Sequence, residues 1–275
     1  MEVDITILVE NATAMPYFQG EYGFSTLVKA GEKAILFDTG SGRALLKNAA
    51  AAGVDLAEIQ DLVISHVHYV HTGALIPFIK TGNHKRIYAH SNVFARRYTG
   101  SGWLRREIGA DFTAGELASL GAEIVFTDDF CEISPGIFVT GTIPRYTDFE
   151  DVGGDFWTYF EGDLVPDDLA DDMALIINHP LGLIIISGCA HAGIINTIEY
   201  ARLKTGQPKI LAFIGGTHLI SASDSRLAKT VAALRDLDVQ HLIVCHCTGF
   251  RAAAILFNEL GSRVVRGKTG MQFHF

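Results

Sequence analysis

The densest chemical potential lies in the run Ser65-His66-Val67-His68-Tyr69-Val70-His71-Thr72-Gly73, which follows the apolar Leu62-Val63-Ile64 and sets three imidazoles within six positions. Imidazole is the commonest protein metal ligand, and two neutral rings on one side of a turn can share one ion. A strand ending at Ser65 would deliver His66 and His68 in the same direction, because side chains alternate with a period of two, while His71 begins the next element. The cluster reads as a metal site. The plainer alternative is a set of loop histidines satisfied by water.

Three further histidines follow the same grammar. Ile184-Ile185-Ile186-Ser187-Gly188 leads into Cys189-Ala190-His191-Ala192-Gly193, Leu211-Ala212-Phe213-Ile214 into Gly215-Gly216-Thr217-His218, and Leu242-Ile243-Val244 into Cys245-His246-Cys247-Thr248-Gly249. Each is an apolar strand opening into a glycine-bearing turn and then a helix. In layered α/β sheets such turns gather along one edge, where ligands bind beyond the strand ends. Their glycines let backbone approach closely, and the helix starts offer N–H donors to an anion. His191 and His246 are candidate metal ligands. His218 suits a place beside the ligands or facing a substrate, and His84, His90, His179, His241 and His274 read as ordinary. Arg145, in Thr142-Ile143-Pro144-Arg145, is a candidate for an anionic substrate group, with a plain surface arginine as the alternative.

The elements that must position these residues alternate along the chain. Strands are predicted at Ile5–Val9, Ser25–Val28 and Ala34–Phe37, the last two joined through Gly31-Glu32, and a helix from about Gly42 to Ala52. Leu62–Ser65 is the strand feeding the histidine cluster, followed by a helix over Gly73–Lys80, a strand at Arg86–Ala89 and a run of antiparallel candidates at Ala122–Thr127 and Gly136–Thr140. In the second half, strands Met173–Asn178 and Leu183–Ser187 meet at the turn His179-Pro180-Leu181-Gly182. Helices over Ile194–Lys204, Asp224–Leu237 and Ala252–Leu260 then alternate with strands over Ile210–Ile214, His241–Cys245 and Arg263–Arg266. Two mixed sheets with helices outside would bury all of these apolar faces, giving a single α/β domain over 1–275. From Asp148 to Asp172 the chain is acidic and aromatic and neither cleanly strand nor cleanly helix. An insertion acting as a lid or dimer contact competes there with a solvated excursion.

Composition bounds the function. The chain has 275 residues, 48% of them hydrophobic, enough for a substantial core without disulfides. A formal net charge of −9 argues against a nucleic-acid partner, which calls for a basic face. No apolar run is long enough to span a bilayer, and Met1-Glu2-Val3-Asp4 lacks the basic start of a secretory signal, so the expectation is a cytoplasmic protein. The four cysteines, at 131, 189, 245 and 247, form no Cys-x-x-Cys pair and read as reduced thiols. The expected partner is a small molecule, and a homo-oligomer is left open.

These residues together resemble the metallo-β-lactamase superfamily over the whole chain. That family has a four-layer αββα sandwich and a His-x-His-x-Asp-His signature after a strand, met here as His66, His68 and His71 with Thr72-Gly73-Ala74-Leu75 following. Asp38-Thr39-Gly40 resembles the family's earlier aspartate turn, which supports the metal loop. The turns at 188–193, 215–219 and 246–249 resemble the branch labelled 7,8-dihydropterin-6-methyl-4-(β-D-ribofuranosyl)-aminobenzene 5'-phosphate synthase-like. The resemblance implies a first metal position held by His66, His68 and His191, with Zn²⁺ expected and other divalent metals compatible. It implies a second position with His71, His246 and, as a thiolate donor, Cys189. Where the signature has its aspartate this chain has Val70, so the second position is expected to be weak or empty.

The expected function is a metal-dependent hydrolase or transferase acting through metal-activated water on a small anionic substrate. That substrate would bear a phosphate or carboxylate and could be pterin-related, and His218 and Asp38 are the candidate catalytic residues. Because of Val70, a metal-binding but catalytically degenerate ligand- or partner-binding protein is the alternative. An iron redox protein is a third class, disfavoured by the lack of a flavin-binding extension.

Overall fold

Val3–Val9 buries Val3, Ile5, Ile7, Leu8 and Val9 and pairs antiparallel with Ser25–Ala30, which turns through Gly31-Glu32 into Lys33–Phe37 as the sequence predicts. The computed structural model describes residues 1–13, 15–82 and 84–275. They fall into two units, the first comprising Met1–Thr127, Asp155–Asp171 and Lys268–Phe275, the second Asp128–Gly154 and Asp172–Gly267.

The first unit holds a seven-stranded mixed sheet in the order Gln272–His274, Val3–Val9, Ser25–Ala30, Lys33–Phe37, Asp61–Val63, Arg86–Ala89, Glu123–Phe126. Its last four strands run parallel, Glu123–Phe126 among them where the sequence predicts an antiparallel strand, so the chain leaves the end of Lys33–Phe37 into Asp38 and the end of Asp61–Val63 into the histidine cluster on the same edge. Leu36, Leu45, Leu62, Leu75, Phe78 and Ile87 form the core beneath.

Two helices differ from the predicted bounds for local reasons. The helix expected from Gly42 is Leu45–Ala51, because the backbone N–H groups of Ser41, Arg43 and Ala44 all donate to the Glu21 carboxylate and hold the approach as a turn. The helix expected over Gly73–Lys80 is two pieces, Tyr69–Thr72 and Leu75–Ile79. The Ala74 N–H between them donates to the Thr39 hydroxyl, and Pro77 sits in the first turn of the second piece, where a missing N–H costs little.

The acidic-aromatic stretch is more regular than its sequence suggests. Phe156–Phe160 and Asp163–Pro166 form a hairpin through Glu161-Gly162, both with positive φ, the geometry that matches strand twist in a two-residue loop. The hairpin extends a four-stranded sheet with Arg97–Thr99 and Arg106–Glu107, a third sheet absent from the expected pair.

The second unit is a mixed sheet in the order Val264–Arg266, His241–Cys245, Ile210–Gly216, Gly182–Ser187, Ala174–His179, Ile137–Val139, Cys131–Ser134. The first four strands are parallel and almost wholly apolar, as strands buried on both faces must be. Helices Ile194–Thr205, Asp224–Asp236 and Phe250–Leu260 follow them, packing Ile198, Leu227 and Leu256 into a core with Ile185, Phe213 and Leu242. Among the described residues, no helix is long and apolar enough to cross a membrane.

Candidate metal centre

In the first unit the expected histidines converge, and Asp38 is the hub that orients them. Asp38 lies just past its strand, fully buried, with a left-handed φ of 56°. Its carboxylate accepts the Ser65 N–H at 2.7 Å and the Ser65 hydroxyl at 2.7 Å. The same Oδ2 sits 2.7 Å from His71 Nδ1. His66 Nδ1 lies 2.8 Å from Ser65 Oγ, so its proton is relayed through the serine to the same carboxylate. With Nδ1 engaged as a donor in both rings, Nε2 is left as the acceptor nitrogen, which is how an outer carboxylate presents imidazole to a metal.

The donor set fits an ion. His66 Nε2 and His68 Nδ1 stand 3.1 Å apart, a hydrogen-bonding separation that is also close to the roughly 3.3 Å between two nitrogens bound to one tetrahedral ion. The rings of His66 and His71 lie 4.2 Å apart between centroids, and Phe156, from the hairpin, covers His68 at 5.2 Å. The loop itself is braced from below. Val67 N–H, between the two histidines, donates to Asp171 Oδ2 at 3.0 Å. Arg97 Nη2 donates to Asp171 Oδ1 at 2.9 Å and Nη1 to Asp167, all three groups being buried. Burial pushes the Asp171 carboxyl above the usual range, and the Arg97 charge and the Val67 N–H draw it back. Val70 is buried within the short helix Tyr69–Thr72.

In the second unit, Cys189, His191, His218, His246 and Cys247 all stand at the ends of three adjacent parallel strands. Those ends carry left-handed φ values at Ala190 (52°), His218 (45°) and His246 (47°), a conformation that non-glycine residues hold only where the surroundings enforce it. His191 is fully buried, with Nδ1 2.7 Å from the Val152 carbonyl, again leaving Nε2 as the acceptor nitrogen. Its ring lies 4.2 Å from that of His218. Asp172 accepts the Ala192 N–H at 2.8 Å, and Glu150 accepts those of Ile195 and Asn196 at the start of the following helix. Burial pushes the Glu150 carboxyl up, while these N–H groups and the Arg226 charge lower it. Arg145 is largely exposed and donates from Nη1 to the His191 carbonyl at 3.1 Å.

Cys247 received no role in the sequence reading, yet its thiol is strongly perturbed. Burial raises its pKa, but hydrogen bonding with Cys189 and the nearby His218 and His246 outweigh that and hold it well below the ordinary thiol range. Sequence reasoning also passed over Ser65, Arg97, Glu150, Asp171 and Asp172 as supports. The signal was present in the carboxylates of 148–172, whose partners lie far away in sequence.

An Asp38 hub beneath a His-x-His loop, at the end of a parallel strand in a mixed sheet, defines a class. The chain belongs to the metallo-β-lactamase superfamily, whose description it matches over residues 19–199, and whose members typically bind divalent metals. Among its relatives is the 7,8-dihydropterin-6-methyl-4-(beta-D-ribofuranosyl)-aminobenzene-5'-phosphate synthase of Methanocaldococcus jannaschii, 32% identical over 88% of this chain and 86% of that protein. An uncharacterised protein of the same organism is also 32% identical, over 90% and 91%. The crystal structure of Tm1679, a metal-dependent hydrolase of the beta-lactamase superfamily, is 30% identical and superposes with a TM-score of 0.86 over 98% of both chains. The expected α/β fold of mixed sheets with flanking helices is that of this superfamily.

Proposed function

We propose that the protein is a metal-dependent hydrolase or transferase acting on a small anionic molecule that carries a phosphate or carboxylate. The observation that carries this reading is the Asp38 hub, which directs Nε2 of His66 and His71 away from their anchored Nδ1 atoms. His66, His68 and His191 are the proposed ligands of one divalent ion, Zn²⁺ before others, since three neutral imidazoles with an open fourth position are a catalytic zinc set. His71 and His246 would serve a second position, left weak because Val70 supplies no carboxylate. When bound, such an ion lowers the pKa of water toward roughly 7 and stabilises developing negative charge.

The remaining work falls to the chain's own side chains. His218, its ring tilted against that of His191, is the proposed proton carrier at the substrate, whereas Asp38, with its oxygens already taken by Ser65 and His71, positions the loop. Arg145, tethered to the His191 carbonyl, is proposed to engage the anionic group of the substrate. The pterin-phosphate relative makes dihydropterin compounds with a phosphate the first class to try. The four thiols, none in a disulfide, fit a reducing cytoplasmic setting, and the net charge of −9 favours a small-molecule partner over nucleic acid.

The test is turnover of a panel of phosphate esters, phosphodiesters and carboxylate esters, dihydropterin phosphates included, by zinc-loaded protein. Activity abolished by chelation and restored by zinc is expected; turnover indifferent to chelator contradicts the proposal. Val70 favours a second reading, a metal-binding protein without catalysis, which zinc binding with no turnover across the panel would select.

A further inference from the structure

We infer that Cys189, Cys247 and His218 form a thiolate-rich binding site for a thiophilic metal ion of the zinc class, with a donor set distinct from the three histidines proposed above. Cys189 and His218 are ligands in this site, and an ion held there takes His218 from the proton-carrying role proposed above. The three donors come from the ends of three neighbouring parallel strands, and one ligand atom from each lies within 4.8 Å of the others. Two Zn–S bonds of about 2.3 Å and one Zn–N bond of about 2.0–2.1 Å would set tetrahedral donors about 3.5–3.8 Å apart, so the donors need to close by at most about 1.3 Å.

The surroundings hold the trio in place. Gly216 N–H donates to the Gly188 carbonyl, Ile220 N–H to the Cys247 carbonyl, and the Thr217 hydroxyl to the Thr248 hydroxyl oxygen at 3.0 Å, lashing the three turns together. Cys247 Sγ accepts the His218 N–H at 3.3 Å, a bond that favours the thiolate. Side-chain room is reserved for two of the donors. A Cβ on Gly216 would stand 2.6 Å from Cys247 Sγ, and one on Gly153 would stand 2.2 Å from the His218 ring. Both cysteines are buried, which a structural thiol pair would also be; the imidazole brought to the same point by a left-handed backbone separates a ligand set from inert packing. Sulfur donors select zinc-class or cuprous ions over magnesium and calcium. On binding, each remaining thiol proton passes to solvent.

Cobalt(II) reports thiolate ligation through a sulfur-to-metal charge-transfer band in the near ultraviolet, which imidazole ligands do not give. Metal-stripped, reduced full-length protein is titrated with Co²⁺. The expected result is a band that saturates in the wild type, falls by half or more in Cys247→Ser, persists in full in the His66→Ala/His71→Ala double variant and is unchanged in Cys131→Ser. No band in the folded wild type, an undiminished band in Cys247→Ser, or its loss in the double variant would each overturn the site. Should Cys247→Ser not fold, His218→Asn serves instead, with a shift or loss of the band expected and an unchanged spectrum counting against the proposal. Failure of the histidine site alone would remove metal insensitive to Cys247 and leave this band untouched, so the two proposals fail separately.

Discussion

Asp38 concentrates at one residue the orientation of two imidazoles and the fixing of Ser65. Asp38→Ala strips the proton acceptor from His71 and from the Ser65 relay. We expect metal affinity to fall about 10- to 100-fold, the usual effect of losing an outer hydrogen-bond partner, read by competition with a chromophoric chelator. Unaltered affinity would mean that the rings are held by packing alone. Val70 makes the opposite case. Val70→Asp restores a carboxylate beside His71, and elemental analysis should find higher occupancy of the second position; an unchanged stoichiometry would count against a damaged second site. These residues were legible in the sequence because His-x-His spacing and an aspartate after a strand are local patterns. The thiol of Cys247 was not, since its meaning depends on Cys189 and His218, 58 and 29 positions away.

At the scale of elements, long-range braces decide whether the loops hold their shape. Arg97 pairs with the buried Asp167 and Asp171, and Asp171 in turn fixes the amide between His66 and His68. Arg97→Met removes the guanidinium that pairs with both buried carboxylates, and a loss of about 3–5 kcal/mol in denaturant unfolding is expected. A loss under 1 kcal/mol would show the pair to be dispensable. Glu150 supplies a pH test at the start of helix Ile194–Thr205. Its folded carboxyl is raised by burial, so the native state binds the proton more tightly than the unfolded chain, and stability falls as pH rises from the unfolded value through the folded one. Melting temperatures of wild type and Glu150→Gln should diverge across that acidic window, the wild type losing ground as pH increases; the reverse order would contradict the burial argument. The strands and long helices that apolar periodicity picked out lie within a residue or two of the observed ones, whereas Arg97–Thr99, Arg106–Glu107, Cys131–Ser134 and Gln272–His274 were passed over. The Phe156–Phe160 hairpin was missed too, because carboxylates flank its aromatic run and its partner Arg97–Thr99 lies far off in sequence.

For the whole molecule, family membership fixes the scaffold and leaves the chemistry to the ligands. Apolar β runs feeding turns with histidine made the superfamily legible without coordinates, whereas the orientation of each ring depends on hydrogen bonds no linear pattern encodes. The net charge of −9 should keep the protein from binding duplex DNA at moderate salt. The central claim, an ion held by His66 with His68 and His191, is met most directly by elemental analysis of protein purified without chelator, wild type beside His66→Ala. The account expects at least one equivalent of a divalent metal, zinc foremost, in the wild type and about one equivalent less in the variant. Metal-free wild type, or a folded His66→Ala protein retaining the full complement, would contradict it.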